Sequence, residues 1–159
     1  MTAADHVPEP ATRAPVLICY DGSESARAAI QVAADLLGSR AAVVLDVGPM
    51  LTASESIAMA SSVVPGNAFV ELNEYQAQTV AREGARLASA AGFDARPHTK
   101  LAACTWDGIL AVADELDAPL IVMGTRALSP GRELLAGSVS HEVVVHAHRP
   151  VLVVPPPRA

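Results

Sequence analysis

Short apolar runs alternate with segments of helical periodicity, and this alternation constrains the fold more than any other feature of the chain. The clear runs are Val16 to Tyr20, Ala41 to Val47, Leu120 to Met123 and Pro150 to Val154, with a weaker candidate from Arg96 to Leu101. The clear runs are apolar at almost every position, which is typical of parallel strands covered on both faces. The order β-α-β-α-β-α-β-α-β therefore predicts a doubly wound α/β domain with a five-stranded parallel sheet.

The segments between these runs are predicted to be helices because apolar residues recur in them every three or four positions. The predicted helices are Ser25 to Leu37, Ala68 to Ala91, Thr105 to Leu116 and roughly Ser138 to Ala147. The apolar face of the long second helix is predicted to contain Phe69, Leu72, Tyr75, Thr79, Val80, Ala85 and Leu87. Residues 49–66 lack a clear period and predict a loop, with a short helical piece from Ser54 to Ala60.

Length and composition fit one cytoplasmic domain. The 159 residues suffice to bury such a sheet between helices without metals or disulfides. We expect a flexible tail over residues 1–14, the folded domain over 15–155 and a short tail over 156–159. The first residues carry two acids and several prolines, unlike a secretory signal, and no run approaches the roughly 20 apolar residues of a membrane span.

The charge distribution argues against nucleic acid as a partner. The formal net charge is −6, Lys100 is the only lysine, and the arginines are scattered along the chain. Sequence-independent binding to nucleic acids requires clustered cations that neutralise phosphates. Aromatic residues make up 3% of the chain, which leaves few platforms on which bases could stack.

Residues that often bind metals, form disulfides or catalyse reactions are not arranged for those tasks. Cys19 and Cys104 form no C-x-x-C pair and are expected to be reduced, buried apolar side chains. No two of the C-terminal histidines, His141, His146 and His148, have the spacing of H-E-x-x-H. The acidic residues Asp114, Glu115 and Asp117 are interpreted as solvated carboxylates. No G-x-S-x-G motif is present, so we expect no enzyme.

The segment LIVMGTRALSPGRELLAGSVS, residues 120–140, has the composition of an anion-binding site. A buried strand leads into a glycine-bearing loop, and a second glycine with two hydroxyls then opens a helix. Gly137 would allow close backbone approach, and Ser138 and Ser140 could donate hydrogen bonds to phosphate oxygens. An ordinary Gly-Ser helix cap is the alternative interpretation. In doubly wound sheets, ligands bind beyond the carboxyl ends of strands, which directs attention to the loops after Tyr20 and Met123.

This segment resembles the phosphate-binding signature of ATP-binding universal stress proteins, G-x2-G-x9-G-S/T. The stretches VLICYDGSESARAAI and GSVSHEVVVHAHRPVLVV are also typical of that family, so the resemblance spans Val16 to Val154. It implies an adenine nucleotide alpha hydrolase-like fold with strand order 3-2-1-4-5. It also implies ATP as ligand, with or without Mg²⁺, and AMP or cyclic AMP as alternatives.

The resemblance further implies which residues bind the nucleotide. Cys19, Tyr20 and Asp21 would line the adenine and ribose side, and Val47 would contact adenine. An Asp21 carboxylate can accept hydrogen bonds from ribose hydroxyls, although capping of the following helix explains it equally well. The residues implied at the sugar and phosphates are Met123, Gly124, Arg126, Ala127, Gly137, Ser138, Val139 and Ser140.

The sequence departs from the signature at Ala127, which stands where the family has its second glycine. If the backbone there has positive φ, alanine costs on the order of 1 kcal/mol, and its methyl group could crowd a phosphate. Gly131 lies too close to Gly137 to restore the spacing. Arg126 could pair with a phosphate, or it could be a solvated loop residue.

The resemblance implies a nucleotide-binding regulatory protein that acts as a dimeric switch in a stress response. The homodimer would pair through the last strand, Val151 to Val154, because an apolar strand at a sheet edge exposes unpaired backbone groups. A nucleotide-free interaction module of the same family is an alternative that Ala127 favours. A slow ATP hydrolase is a second alternative, although Asp21 is its only candidate acid.

Overall fold

The computed structural model describes residues 14–50, 66–125 and 138–156, which form alternating strands and helices. In chain order they are β1 (Val16–Cys19), α1 (Glu24–Leu37), β2 (Ala41–Pro49), α2 (Gly66–Ala90), β3 (Asp94–Ala102), α3 (Thr105–Glu115), β4 (Ile121–Gly124), α4 (Val139–His146) and β5 (Val151–Val154). The five predicted strands and the four predicted longer helices are present, and their bounds differ from the predicted ones by at most two residues. Residues 1–13 of the tail predicted over 1–14 and the predicted helical piece from Ser54 to Ala60 lie outside the described residues.

The strands form one parallel sheet in the order β3-β2-β1-β4-β5, which confirms the predicted fold. The central strand β1 pairs with β2 on one side, where Cys19 lies opposite Leu45, and with β4 on the other, where Ile18 lies opposite Val122. The chain first builds the sheet outward through β2 and β3, and then returns to the other side of β1. The strand order therefore reverses between β1 and β4, and loops at their carboxyl ends diverge there.

Two apolar cores lie on opposite faces of the sheet because successive strand residues point to opposite sides. Val16 and Ile18 of β1, together with Tyr20 directly after the strand, pack in the layer that contains α1 and α2. Leu17 packs in the other layer, with α3 and α4, and the half-buried Cys19 lies against the same layer. Because both faces are covered, the strands are apolar at consecutive positions rather than at alternate ones.

The predicted apolar face of α2 is wrong for Leu72, Tyr75 and Thr79, whereas Ala85 is buried and the half-buried Val80 and Leu87 pack against the core. Leu72 and Tyr75 are 53% and 67% exposed, and Thr79 is exposed as well. The buried positions of this helix are small or polar, namely Asn73, Ala77, Ala81, Gly84, Ala85 and Ala88. These short side chains bring the helix axis close to the sheet, and bulky residues at the same positions would hold it away.

The small residues of α2 allow a large tyrosine to fill the space between helix and sheet. A Cβ atom on Gly84 would lie 2.6 Å from Cδ1 of Tyr20 and 2.8 Å from Cγ1 of Val44. Such distances are below any normal carbon contact. Gly84 is therefore required by the aromatic ring beneath it.

One further expectation is corrected by the structure. Cys104 is exposed instead of buried, because it precedes the first residue of α3 at the helix N-terminus. Asp114, Glu115 and Asp117 are exposed, as expected of solvated carboxylates. Two of them also form ion pairs: Asp114 contacts the Arg149 guanidinium, and Glu115 lies 2.8 Å from Nζ of Lys100. The lysine hydrogen bond holds the pKa of Glu115 below its usual value.

Candidate functional site

Asp21 lies at the carboxyl end of β1, in the turn that leads into α1. Its Oδ1 accepts a hydrogen bond from the backbone N–H of Ser23 at 3.0 Å, and Gly22 takes the left-handed conformation, with φ of 81°. Ser23 is the residue that caps α1, since its hydroxyl accepts from the N–H of Ala26 at 3.2 Å. Asp21 thus orders the turn with one oxygen and remains exposed to solvent.

The side chain of Tyr20 points away from this turn and into the α1/α2 layer, where it is 2% exposed. Its hydroxyl donates to Oε1 of Glu83 at 3.0 Å, and Arg27 donates to the same oxygen at 2.8 Å. Its backbone N–H donates to the carbonyl of Leu45. Any contact of Tyr20 with a ligand at the strand end would therefore come from its backbone, while its ring anchors the turn.

A second carboxylate, Asp46, lies near the end of β2, and the sequence interpretation missed it. Burial raises its pKa to about 6, the charge of Asp21 adds to this rise, and a hydrogen bond from the backbone of Val47 opposes it. Burial also raises the pKa of the Cys19 thiol to about 12, with further contributions from both aspartates. The signal in the sequence was one acidic residue inside an otherwise apolar strand.

The side chains of Val47 and Met123 belong to the α3/α4 core. Met123 is 4% exposed, and Val47 packs against the same cluster. Val47 also lies against α3, because a Cβ atom on Gly108 would be 3.0 Å from its Cγ1. These two residues form the floor beneath the carboxyl edge of the sheet on this face.

Gly124, at the end of β4, is required by the packing of the protein itself. A Cβ atom there would lie 2.4 Å from the carbonyl carbon of Ser25 and 2.5 Å from its oxygen. These are backbone atoms in the first turn of α1, which cannot rotate away. The close approach brings the ends of β1 and β4 together at the point where the strand order reverses.

Ser138 caps α4, as the alternative interpretation of the Gly-Ser pair predicted. Its hydroxyl accepts from the N–H of His141 at 3.2 Å and lies 3.4 Å from the hydroxyl of Ser140, while its carbonyl accepts from Glu142. Within the described part of the chain, the N–H groups of Val139 and Ser140 have no hydrogen bond, as is usual for the first turn of a helix. One of the two hydroxyls donates to the other, so the pair keeps one hydrogen that can be donated to an anion.

Three predicted site residues, Arg126, Ala127 and Gly137, lie outside the described residues, as does Gly131. The predicted residues at the strand ends, Cys19, Tyr20, Asp21, Val47, Met123 and Gly124, lie at one edge of the sheet, which the carboxyl ends of β1, β2 and β4 all reach. α4 follows β4 in the chain and packs on the same face of the sheet as α3.

His146, one of the histidines considered as metal ligands, is occupied by other contacts. His146 stacks on Trp106 with ring centroids 4.8 Å apart, and its Nδ1 lies 2.9 Å from the carbonyl oxygen of Glu142. Over residues 14–50, 66–125 and 138–156, no three histidine, cysteine or acidic side chains are grouped as metal ligands would be. Among the helices that the structure describes, none is both long and apolar enough to cross a membrane.

The sequence model of the universal stress protein family matches residues 12–155, which is nearly the whole chain. The chain belongs to the universal stress protein family. No curated protein sequence matches it significantly. The family assignment agrees with the resemblance carried by the strand ends and the helix start described above.

Solved structures of universal stress proteins share the fold. One from Archaeoglobus fulgidus is 25% identical, with a TM-score of 0.62 over 88% of this chain and 97% of that chain. A second Archaeoglobus fulgidus structure, in complex with dAMP, is 19% identical, with a TM-score of 0.61 over 91% of this chain and 99% of that one. A universal stress protein in complex with cAMP is 23% identical, with a TM-score of 0.62 over 92% and 100% of the two chains.

Proposed function

We propose that this universal stress protein binds an adenine nucleotide, ATP being the favoured ligand, and acts as a dimeric regulatory switch without catalysing a reaction. One observation carries the proposal: the exposed carboxylate of Asp21 lies where the strand order reverses, at the carboxyl end of the central strand. Ligands of doubly wound sheets bind at that point. The nucleotide-bound relatives, with dAMP and cAMP, support the same chemistry. The proposal takes the cytoplasm as the place of action.

The residues present fit a nucleotide at both of its ends. Asp21 has one carboxylate oxygen committed to the N–H of Ser23, so the other can accept hydrogen bonds from ribose hydroxyls. The N–H groups of Val139 and Ser140, with the one hydroxyl hydrogen that the Ser138–Ser140 pair leaves free, can donate to phosphate oxygens at the positive end of the α4 dipole. A divalent cation such as Mg²⁺ would reach the site with ATP rather than as a resident of the protein.

The loop signature G-x2-A-x9-G-S is part of the proposal. We expect Ala127 to weaken phosphate binding by on the order of 1 kcal/mol, about a fivefold loss of affinity, if glycine is preferred there. Arg126 would partly offset this loss by pairing with a phosphate. Binding is therefore expected to be retained but weaker than in a relative with the full glycine signature.

Calorimetric titration with ATP and with cyclic AMP tests the proposal. Wild type should bind, Ala127→Gly should bind more tightly, and Gly137→Asp should not bind, because a carboxylate would then face the phosphates. If wild type gives no heat while Ala127→Gly binds, the protein is a nucleotide-free module instead. Phosphate release from ATP should stay at background, and release that Asp21→Ala abolishes would contradict the absence of catalysis.

The dimer is proposed to form through the outer edge of β5. In the described residues, β5 pairs only with β4, and its four residues VLVV contain no charge or proline. Val144 and Val145 of α4, the helix that packs beside β5, are 51% and 60% exposed. Edge strands that lack charged residues and proline tend to pair with another chain.

A further inference from the structure

We propose that Asp46 is an affinity-setting residue of the nucleotide site: with Asp21 it places paired negative charge at the ribose end, and loss of the charge on Asp46 strengthens nucleotide binding. The inference rests on the proposed function. It assigns to this one side chain the dependence of binding on pH.

The register of the sheet brings the two aspartates together. Cys19, the last residue of β1, lies opposite Leu45 of β2, so Asp46 is the first β2 residue beyond the end of β1. Asp21 stands in the turn that leaves β1 at this point. Asp46 is half-buried, and Asp21 is exposed.

The strand on the other side of Asp46 brings no cation to it. Thr99 of β3 lies directly opposite, flanked by His98 and Lys100. Consecutive side chains of a strand point to opposite faces of the sheet. His98 and Lys100 therefore lie on the other face from Thr99 and Asp46. Lys100 is in any case paired with Glu115 at 2.8 Å.

The helix packed over this face brings no free cation either. Ala77 of α2 would lie 3.4 Å from a Cβ atom on Gly48, and Gly84 covers Val44, so the stretch from Ala77 to Gly84 lies over Asp46. The charged residues of that stretch have other partners: Arg82 donates to Gln78, and Glu83 accepts from Tyr20 and Arg27. Across the described chain, no lysine or arginine pairs with Asp46.

These surroundings decide the sign of the effect. Burial and the neighbouring Asp21 raise the pKa of Asp46 to about 6. The carboxyl is therefore charged at pH 7.5 and becomes neutral as the pH falls below about 6. An ionised Asp46 repels the phosphate of a bound nucleotide, whereas a protonated one is neutral and can donate a hydrogen bond. Nucleotide affinity therefore rises as the pH falls through about 6.

Cyclic AMP is the probe that isolates this effect. A phosphomonoester such as AMP or the terminal phosphate of ATP has its own pKa near 6, which would confuse the profile. Cyclic AMP is a phosphodiester and keeps a constant charge from about pH 5 to pH 8. Its dissociation constant is measured by calorimetry across this range for wild type, Asp46→Asn and the control Asp94→Asn. Asp94 is an exposed carboxylate at the start of β3, at the end of the strands away from the proposed site.

We expect wild type and Asp94→Asn to bind about threefold to tenfold more tightly near pH 5 than near pH 8. Asp46→Asn should bind at every pH with the affinity that wild type reaches only in acid. A carbon NMR titration of the Asp46 carboxyl in wild type gives a second measurement that needs no variant. Since coupling is reciprocal, saturating cyclic AMP should raise the pKa of Asp46.

The outcomes separate the two proposals. Binding by wild type that does not change with pH, or an Asp46→Asn variant that keeps the wild-type slope, overturns the role of Asp46 and leaves nucleotide binding intact. An Asp46 pKa that cyclic AMP leaves unchanged also overturns it. Failure of wild type to bind cyclic AMP and ATP at any pH overturns the proposed function itself, and this inference falls with it.

Discussion

The two aspartates at the carboxyl edge of the sheet show how position within a turn or strand determines what a carboxylate can do. Asp21 is exposed and accepts a backbone hydrogen bond, so its charge is well solvated. Asp46 sits in a strand whose preceding residues, from Ala42 to Leu45, are at most 1% exposed, and its charge is partly desolvated. The same side chain therefore stabilises a local turn at one position and carries an electrostatic penalty at the other.

Replacing Asp46 by asparagine should stabilise the protein above pH 6 and have little effect in acid. Folding raises the pKa of Asp46 from 3.8 to about 6. Below pH 3.8 the carboxyl is protonated in both the folded and the unfolded protein and costs no stability. As the pH rises through about 6, the carboxyl ionises in the folded protein and stability is lost. After allowance for solvent screening, Asp46→Asn should gain about 1–2 kcal/mol near pH 7.5, with the gain shrinking towards zero near pH 4. Urea unfolding followed by circular dichroism measures both values. An equal gain at both pH values would mean that ionisation is not the cause.

Individual side chains were the least predictable feature of the site. The turn at Asp21 and the cap at Ser138 follow from local sequence, because short polar side chains satisfy nearby backbone N–H groups. The direction of Tyr20 depends on strand alternation and on a glycine 64 residues away, and the interaction between Asp46 and Asp21 depends on strand pairing. Such distant relationships are not contained in any short segment of sequence.

The elements themselves were predictable because every strand except the polar β3 is apolar on both faces and the helices carry periodic stripes. The face that α2 buries was not, because its buried residues are mostly alanine and glycine. Ranking positions by side-chain size favours Leu72 and Tyr75, which are exposed. Close packing of a long helix on a sheet favours small residues at the contact instead.

The contact between α2 and β1 yields a prediction that opposes helix propensity. Alanine is a better helix former than glycine by about 1 kcal/mol, yet Gly84→Ala should destabilise the protein by about 1–3 kcal/mol, because the added carbon meets the Tyr20 ring. Chemical denaturation of Gly84→Ala measures the loss. The exposed Ser89→Ala on the same helix is the control, and we expect it to change stability by less than about 0.5 kcal/mol.

A double-mutant cycle tests the cause of that loss. In a Tyr20→Leu background, the aromatic ring is gone and Gly84→Ala should become neutral or stabilising. The same cost in both backgrounds would show that the ring does not determine the need for glycine.

At the scale of the whole molecule, the two edges of the sheet differ in their protection against pairing. β3 is a nine-residue edge strand that carries Pro97 near its centre, with Arg96 and His98 exposed beside it. β5 has only valine and leucine. Proline and charged residues on an edge strand discourage its pairing with another chain. We therefore expect a second chain to pair with β5 and not with β3.

The ladder between β4 and β5 indicates which backbone groups of β5 are available for a second chain. The carbonyls of Pro150 and Val154 accept hydrogen bonds from β4, and in a parallel strand alternate residues face opposite neighbours. Val151 and Val153 therefore direct their N–H and C=O groups towards the outer edge. In the described residues, nothing pairs with that edge.

We expect the protein to be a dimer in solution, and Val153→Pro to convert it to a monomer. Light scattering after size-exclusion chromatography should give twice the 16.4 kDa of one chain for wild type at micromolar concentration. Proline at 153 removes one outward N–H and leaves the bonds to β4 in place, so the monomer should remain folded. Val153→Thr keeps the N–H and should remain a dimer. A monomeric wild type, or a Val153→Pro variant that stays dimeric, would show that the outer edge of β5 does not pair with a second copy of the chain.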